Sequence, residues 1–254
     1  MTELLTSPYF IGLIFFIVAF AYSSVGLGGG STYTALMAIL GFNTLSIPMI
    51  SLTLNLMVTT VGAFNFIRHK HARLKLILPF LVTSIPMAYV GGALHLPSEL
   101  FYWLLLGSLV IVAFRIYFWN RVSLNLHLTD RSKLIIALVT GAVLGLIAGI
   151  LGIGGGVYLV PLIILLGLGS AKEAAACGVI FIWVNSLSGL ISRLQYNSIE
   201  FSDYIPLIVA VLIGGTLGSF VGAAKYSSKV MEKVLGIIIL IAIGFLIRQL
   251  LFLN

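Results

Sequence analysis

The sequence is poor in charged residues: only 8% of its 254 residues are Asp, Glu, Lys or Arg, whereas 60% are hydrophobic and the mean hydropathy is +1.18. A soluble domain carries about 25% charged residues, which it needs to cover its surface in water. No charged residue occurs between Glu3 and Arg68, between Lys75 and Glu99, between Lys133 and Lys172, or between Asp203 and Lys225. Each of these stretches exceeds the roughly 20 apolar residues that cross a bilayer as a helix. The absences exclude a soluble domain and predict an integral membrane protein.

Acidic residues, cysteine and cofactor motifs are equally scarce. No carboxylate is predicted deep within an apolar segment, which leaves no candidate for an acidic proton relay or a cation-binding carboxylate. The single cysteine, Cys177, excludes an intramolecular disulfide and is predicted to be a small core residue. His69, His71 and His95 lack acidic or cysteine companions, so no metal site is predicted, and no motif indicates a cofactor or an enzyme. The net charge of +7 is typical of cytoplasmic loops rich in Lys and Arg, since no basic stripe with interleaved aromatics indicates nucleic acid.

Ten apolar segments follow one another along the chain and predict an all-α membrane protein. Two of them, 31–41 and 157–167, are short, and each follows a cluster of three glycines. Ser7 before Pro8 predicts the start of the first helix, and Ser170 with Glu173 predicts a capping box at the start of the eighth. The ten predicted segments are 8–25, 31–41, 46–67, 74–94, 98–118, 133–151, 157–167, 171–194, 203–224 and 228–252.

The two halves of the chain resemble each other. The stretch 25–30 aligns with 151–156 at an offset of 126, and Gly41 aligns with Gly167 at the same offset. At an offset of 127, further glycines and a proline of the first half match the second half. Such an ordered series predicts an internal duplication. We expect a first transmembrane repeat at 1–119, a cytoplasmic linker at 120–132 and a second transmembrane repeat at 133–254.

The orientation of the halves follows from how the two short segments run. If they carry the chain across, the halves form an inverted 5+5 repeat, and all Lys and Arg except Arg193 and Arg248 lie on one side. If they re-enter and return, the halves are parallel and the Lys and Arg divide 10 to 4. Because Lys and Arg collect on the cytoplasmic side, the inverted arrangement is favoured. It predicts a multi-pass protein of the cell inner membrane with cytoplasmic basic loops and both termini outside.

The triple-glycine clusters are the first candidate for a binding site. Eleven residues of helix rise only about 16 Å, so the short segments are predicted to be broken or re-entrant half-helices that begin near the bilayer midplane. A helix N-terminus has unpaired N–H groups and partial positive charge, and glycine lets an anion approach them closely. The predicted substrate-binding residues are Gly28, Gly29, Gly30, Ser31 and Thr32 in the first half, and Gly154, Gly155 and Gly156 in the second.

Close helix packing is the competing explanation for glycine in a membrane helix. It suits the glycines spaced by four residues, among them Gly141, Gly145, Gly149, Gly214 and Gly218. Three consecutive glycines exceed what helix packing requires. We therefore assign the two clusters to a binding site and the spaced glycines to helix contacts.

Polar side chains within apolar segments are the second candidate. Asn55 lies in the third segment, and Asn185 and Ser186 lie in the eighth. Buried amides in a bilayer either link helices or face a cavity, and we assign these three residues to substrate binding. Arg193 lies near a helix end and could attract an anion, although such an arginine more often extends to the membrane surface. Neutral donors and helix ends suit a small anion.

These residues resemble a known family. The glycine clusters at 26–30 and 152–156, each followed by a short helix, resemble the paired signatures of the sulfite exporter TauE/SafE family, also called the toluene sulfonate uptake permeases. The stretch 185–189 is similar to the second-half pattern of that family. Many members have a Thr-Ser pair near the position where this chain has Cys177 and Gly178, so the contacts to the substrate are not expected to follow the family pattern there.

The resemblance implies a secondary transporter, commonly an exporter, of small sulfur-containing anions such as sulfite, thiosulfate or organosulfonates. Transport would proceed by alternating access around a site near the midplane. An anion channel and a transporter of another small organic anion remain the alternatives. The expected partners are membrane lipid and the anionic substrate, with homo-oligomerisation left open, and no cofactor is expected.

Overall fold

The computed structural model describes residues 8–24, 27–68, 72–118, 129–198, 201–224 and 228–252. Within these residues the chain forms one α-helix for each predicted segment, and no strand. The helix ends lie within three residues of the predicted ends, so the prediction of an all-α protein is confirmed. The helices are α1 (Pro8–Ser24), α2 (Gly30–Ile39), α3 (Ser46–Arg68), α4 (Leu74–Ala93), α5 (Ser98–Phe118), α6 (Asp130–Leu151), α7 (Gly156–Leu165), α8 (Ala171–Tyr196), α9 (Ile205–Ala224) and α10 (Ser228–Phe252), with a 3-10 turn, Phe201–Tyr204, before α9.

Five helices are long and apolar enough, by length and composition, to cross a membrane. The spans lie in α3, α4, α5, α6 and α8, are 19 to 25 residues long and have mean hydropathies from 1.6 to 2.7. Their outward faces are apolar: Leu78 and Val82 of α4 and Val139 of α6 are each more than half exposed. Lipid covers apolar faces of this kind. Further apolar helical stretches of 10 to 17 residues, counted only over residues whose side chains the structure describes, lie in α1, α7, α9 and α10.

Capping side chains explain where two of the helices begin. The Glu173 N–H donates to the Ser170 hydroxyl at 3.3 Å, and the Ser170 N–H donates to the Glu173 carboxylate at 2.8 Å, so the predicted capping box is confirmed. Thr129 caps α6 through its hydroxyl, and α6 therefore begins at Asp130, earlier than predicted. The predicted cap at Ser7 lies outside the described residues.

Glycines spaced by four residues join α4 to α6. A Cβ at Gly141 would collide with the Phe80 carbonyl, and a Cβ at Gly149 would collide with the Ala88 carbonyl. The prediction that these glycines serve helix packing is confirmed. Because both residue numbers increase together along the contact, α4 and α6 run parallel.

The same kind of contact joins α1 to α9. A Cβ at Gly214 would collide with the Phe16 carbonyl, and a Cβ at Gly218 would collide with the Phe20 carbonyl. These two helices also run parallel. Each half of the chain thus contributes one helix to each of two glycine-packed pairs.

α8 runs in the same direction as α4. Arg73, just before α4, pairs with Glu173 in the first turn of α8 at 3.5 Å, and the Ser188 hydroxyl donates to the Ile85 carbonyl at 2.8 Å. α4, α6 and α8 therefore begin at one end of the molecule, and α7 returns the chain to that end. We call it the basic end, because it holds Arg73, Lys75, Arg131, Lys133 and Lys172.

Two main clusters of apolar side chains fill the interior. The larger one joins α1, α2, α3, α5, α9 and α10 with the end of α6 and the start of α7, and it includes residues from both halves. The smaller one lies between α4, α6, α7 and α8 and contains Phe80, Cys177 and Phe181. Cys177 is fully buried there, so its prediction as a small core residue is confirmed.

Candidate functional site

The two glycine clusters lie together, against the middle of α3 and α8. A Cβ at Gly28 would lie 2.8 Å from Asn55 Oδ1 and 3.1 Å from Ile182 Cγ2. A Cβ at Gly154 would lie 3.1 Å from Asn55 Nδ2 and 2.7 Å from the same Ile182 methyl group. Only glycine leaves room for these contacts. The breaks in the two halves therefore meet at one place, which we call the glycine site: residues 28–30 and 154–156 with Asn55 and Ile182.

Both half-helices begin at a glycine in the left-handed region. Gly29 precedes α2 with a φ of 87°, and Gly155 precedes α7 with a φ of 76°, a conformation that strongly favours glycine. No side chain caps either helix. The first N–H groups of a helix have no partner within it. The amides of Thr32 and Tyr158 already donate to the Gly29 and Gly155 carbonyls, so the two amides before each of them are the candidate donors beside the glycine site.

Buried polar side chains near the breaks leave atoms unpaired, and one of them is the Tyr33 hydroxyl, which lies beside Gly29. Asn55 Oδ1, Asn185 Oδ1 and Ser186 Oγ are buried and have no hydrogen-bond partner among the described residues. The amide of Asn55 donates to the Gly152 carbonyl at 3.2 Å, and a Cβ at Gly154 would lie 3.3 Å from Ser186 Oγ. Buried polar atoms are normally paired. Unpaired atoms of this kind make the region of the breaks a candidate site for a polar ligand.

The hydroxyls of Ser31 and Thr32 lie elsewhere. Tyr22 of α1 approaches both, with its hydroxyl 3.2 Å from Ser31 Oγ and 2.6 Å from Thr32 Oγ1. All three side chains are buried. The structure therefore pairs Ser31 and Thr32 with α1 rather than with Asn55, and their part in substrate binding stays a prediction.

Ser51 joins the two breaks, although it is not among the predicted site residues. Its Oγ lies 3.2 Å from the Gly30 carbonyl oxygen and 2.8 Å from the Gly152 carbonyl oxygen, and it accepts a hydrogen bond from Thr34 at 3.0 Å. Ser51 precedes Asn55 by four residues and so shares its face of α3. That spacing is the one signal in the sequence that could have indicated its role.

Arg193 is buried, so the prediction that it extends to the membrane surface is wrong. Its side chain is only 3% exposed. Its Nη2 donates to the Gly149 carbonyl at 3.0 Å and to the Ile150 carbonyl at 2.7 Å. These are C-terminal carbonyls of α6, which have no partner within the helix and carry partial negative charge. No carboxylate of a described residue lies within ion-pair distance of Arg193.

Two cavities lie nearer the ends of the molecule than the glycine site. One, of about 410 Å³, opens at the basic end, where Arg73, Lys75 and Lys133 line it. The other has room for about one water molecule at about 10 Å³, and Thr44, His95 and Arg193 are among its lining residues. Neither is lined by residues 28–30 or 154–156. Within the described residues no group of three His, Cys, Asp or Glu side chains could hold a metal ion.

The fold and the glycine site define a class of protein. Five helices can cross a membrane, and two broken helices meet beside unpaired buried polar atoms, which is typical of helical membrane transporters. The sequence profile of the family described as "Sulfite exporter TauE/SafE" matches residues 11–248. The chain belongs to the sulfite exporter TauE/SafE family, which confirms the resemblance seen in its glycine clusters.

Curated relatives are named as membrane transporters. The chain is 31% identical over 236 residues to "Probable membrane transporter protein y4hK" of Sinorhizobium fredii, which covers 91% of this chain and 95% of that protein. It is 25% identical over 245 residues to "Probable membrane transporter protein MJ0441" of Methanocaldococcus jannaschii, which covers 91% of this chain and 88% of that protein. No solved structure matches the chain at a comparable level of significance.

Proposed function

We propose that this chain is a secondary transporter, working as an exporter, of small sulfur-containing anions such as sulfite, thiosulfate or organosulfonates. The observation that carries the proposal is the meeting of two half-helix N-termini beside Asn55, Asn185 and Ser186. The name of the family supports a sulfur oxyanion as the substrate. The role is transport and not catalysis, since the relatives are named as transporters.

The chemistry of the glycine site suits an anion that carries a proton. Each half-helix N-terminus presents about half a positive charge and its unpaired N–H groups. The Ser186 hydroxyl adds a donor, whereas Asn55 Oδ1 and Asn185 Oδ1 are unpaired acceptors. An acceptor would repel a fully deprotonated oxyanion and would bind an O–H group. Among the proposed substrates, these acceptors therefore favour hydrogen sulfite, which carries a proton near neutral pH, over thiosulfate and simple sulfonates, which would rely on the amides and the Ser186 hydroxyl.

Arg193 supplies a positive potential to this site in the proposed mechanism. It lies on the same helix as Ser186, seven residues further along, or about 10 Å along the axis. At that separation one charge stabilises a monoanion by about 1.5 kcal/mol at an effective dielectric constant of about 20, which is roughly tenfold in affinity. The hydrogen bonds of Arg193 also neutralise the carbonyl end of α6 next to the second glycine cluster.

The proposed movement is a rocking of one inverted repeat, 1–119, against the other, 133–254, joined by the linker 120–132. The helix directions support an inverted 5+5 arrangement, because α4, α6 and α8 run parallel while α7 returns between them. The two glycine-packed pairs support it as well. In the second half α6 corresponds to α1 and α9 corresponds to α4, so the pair of α4 with α6 and the pair of α9 with α1 are equivalent under exchange of the halves. The basic end would then be cytoplasmic in the inner membrane, with both termini outside.

The experiment is a flux assay on the purified chain in liposomes. We expect sulfite, thiosulfate or a sulfonate such as sulfoacetate or taurine to exchange across the membrane, faster when the opposite side also contains substrate. Chloride should not exchange at a comparable rate. Equal rates for chloride, or flux without acceleration by substrate on the opposite side, would point to an anion channel. A preference for carboxylates would point to a transporter of another organic anion.

A further inference from the structure

A cavity at the basic end lies apart from the glycine site. It has a volume of about 410 Å³ and lies between the first turns of α4 and α6 and the turn that follows α7. This volume falls within the range of pockets that bind small molecules and cofactors. The proposed transport mechanism does not use it.

The mouth of the cavity is positively charged. Arg73, Lys75 and Lys133 line it together with a single carboxylate, Asp130. Lys133 pairs with Asp130 at 3.2 Å, and Arg73 pairs with Glu173 at 3.5 Å, but both pairs are exposed and so are weak. Lys75 has no ion pair with any described residue. Three cations and, with Glu173 included, two carboxylates leave one net positive charge at the mouth. Because the two ion pairs are weak, all three cations can also bind an added anion.

The deeper part of the cavity is apolar. Pro79 is four residues beyond Lys75 on α4, and Ala137 is four residues beyond Lys133 on α6, so both lie about 6 Å further from the membrane surface. Leu168 closes the cavity on the side of α7. A vestibule for a transported anion should stay polar towards the centre of the protein. A cavity that is charged at its mouth and apolar inside matches an amphiphile.

The cavity also borders the lipid-facing surface. Leu134, which lines it, is 48% exposed, and its neighbours Ile135 on α6 and Leu78 on α4 are more than half exposed. In a chain that crosses the bilayer, these faces contact acyl chains at the level where the cations contact headgroups. A lipid can therefore reach the cavity from the side, with its headgroup at the mouth and its acyl chains along α4 and α6.

We propose that this cavity binds the phosphate headgroup of an anionic phospholipid. Lys75, Lys133 and Arg73 hold the phosphate, and the apolar wall formed by Pro79 and Leu168 contacts the glycerol and the first acyl carbons. Basic pockets between transmembrane helices bind headgroups in this way. The bound lipid joins the start of α4 to the start of α6, at the end of the glycine-packed contact between them.

The experiment measures lipid binding to the full chain in detergent by native mass spectrometry, together with its melting temperature. Phosphatidylglycerol should bind and raise the melting temperature, whereas phosphatidylcholine with the same acyl chains should not. Replacing both Lys75 and Lys133 by Gln should weaken phosphatidylglycerol binding roughly 30-fold, about fivefold for each cation lost. Lys172→Gln is the matched control, because Lys172 is exposed at the same end and does not line the cavity.

A second variant separates loss of binding from loss of folding. Lys75→Glu places an acidic residue in the first turn of α4, where it favours the helix, and it should abolish phosphatidylglycerol binding in a folded protein. Unchanged binding in this variant and in the double variant would overturn the proposal. If inorganic phosphate raised the melting temperature as much as phosphatidylglycerol does, the cavity would be assigned to a soluble anion. Competition between sulfite and phosphatidylglycerol would assign it to the transport path, and either result overturns the lipid assignment.

Discussion

At the scale of single residues, the glycine site stands out because buried polar atoms within and beside it have no hydrogen-bond partner among the described residues. Asn55, Asn185 and Ser186 each leave one such atom, and a buried unpaired polar group costs about 1–3 kcal/mol of stability. Tyr33 beside Gly29 also leaves its hydroxyl unpaired, and so do Ser84 and Ser192 in the contacts of α4 with α6 and α8. An unpaired atom therefore marks a ligand site only together with a second feature, which here is the meeting of the glycine clusters.

Ser186→Ala should impair transport without destabilising the protein. The Ser186 hydroxyl has no hydrogen-bond partner among the described residues, so its removal should leave the melting temperature unchanged or raise it slightly. Ser188→Ala is the opposite control, because the Ser188 hydroxyl donates to the Ile85 carbonyl at 2.8 Å. That variant should be less stable by about 1 kcal/mol and should still transport. Full transport by Ser186→Ala in liposomes would remove Ser186 from the site.

Replacing Arg193 should separate charge from hydrogen bonding. Arg193→Gln loses the positive charge and should raise the KM for the anion roughly tenfold. Arg193→Lys keeps the charge and should bind the anion nearly as well, although both variants lose hydrogen bonds to α6 and should melt at lower temperature. Flux at several substrate concentrations gives the KM of each variant. Equal KM values would show that the charge of Arg193 does not affect anion binding and that its role is to cap the end of α6.

The partners of these side chains could not be predicted from the sequence. The bond of Arg193 to Gly149 spans 44 residues, and the contact of Ser51 with Gly152 spans 101 residues. Residue type and spacing identified Asn55 and the glycines as unusual in an apolar segment. Which neighbours they meet depends on how the helices pack, and this information lies in long-range contacts.

At the scale of helices, the bounds could be predicted because apolar runs and caps are local features. The capping box at Ser170 and the two short helices after the glycine clusters follow from the sequence alone. The contact between the two clusters does not, since it needs α3 and α8 to cross at Asn55 and Ile182. The glycine contacts of α6 were predictable in kind, and only their partner helix was unknown.

Gly145→Ala should destabilise the protein through the contact between α4 and α6. A Cβ at Gly145 would lie 2.6 Å from the Ser84 Cα and would collide with the Ser84 carbonyl. Overpacking of this kind costs about 1–3 kcal/mol. Gly107→Ala in α5 is the matched control, because an added Cβ there meets no atom within 4 Å and alanine favours the helix. The melting temperature in detergent should fall for Gly145→Ala and should stay the same or rise for Gly107→Ala.

At the scale of the whole molecule, composition was sufficient to predict an integral membrane protein, and the succession of apolar segments predicted the ten helices of the described residues. The relative orientation of the two halves in the membrane is part of the proposal, which describes them as an inverted repeat. The ion pair between Arg73 and Glu173 bears on it, because it places the start of α4 and the start of α8 at one end. Parallel halves would place those two starts on opposite sides of the membrane.

Labelling of introduced cysteines should reveal the orientation. The native Cys177 is buried and should react little with a membrane-impermeant maleimide, so the chain can be used without further changes. Ala72→Cys and Lys172→Cys should both react only from the cytoplasmic side, and Asn197→Cys should react only from the outside. Reaction of the first two from opposite sides of sealed vesicles would favour parallel halves.

The position of Ser51 has a consequence for how the two halves can move. One hydroxyl lies within hydrogen-bond distance of the Gly30 and Gly152 carbonyls, one from each break. If the halves rotate against each other, points far from Ser51 travel furthest, and points near it hardly move. Ser51 then lies close to the axis of this rotation. In the proposed cycle, the amides beside the two breaks would therefore stay together, and the two ends of the molecule would open and close in turn.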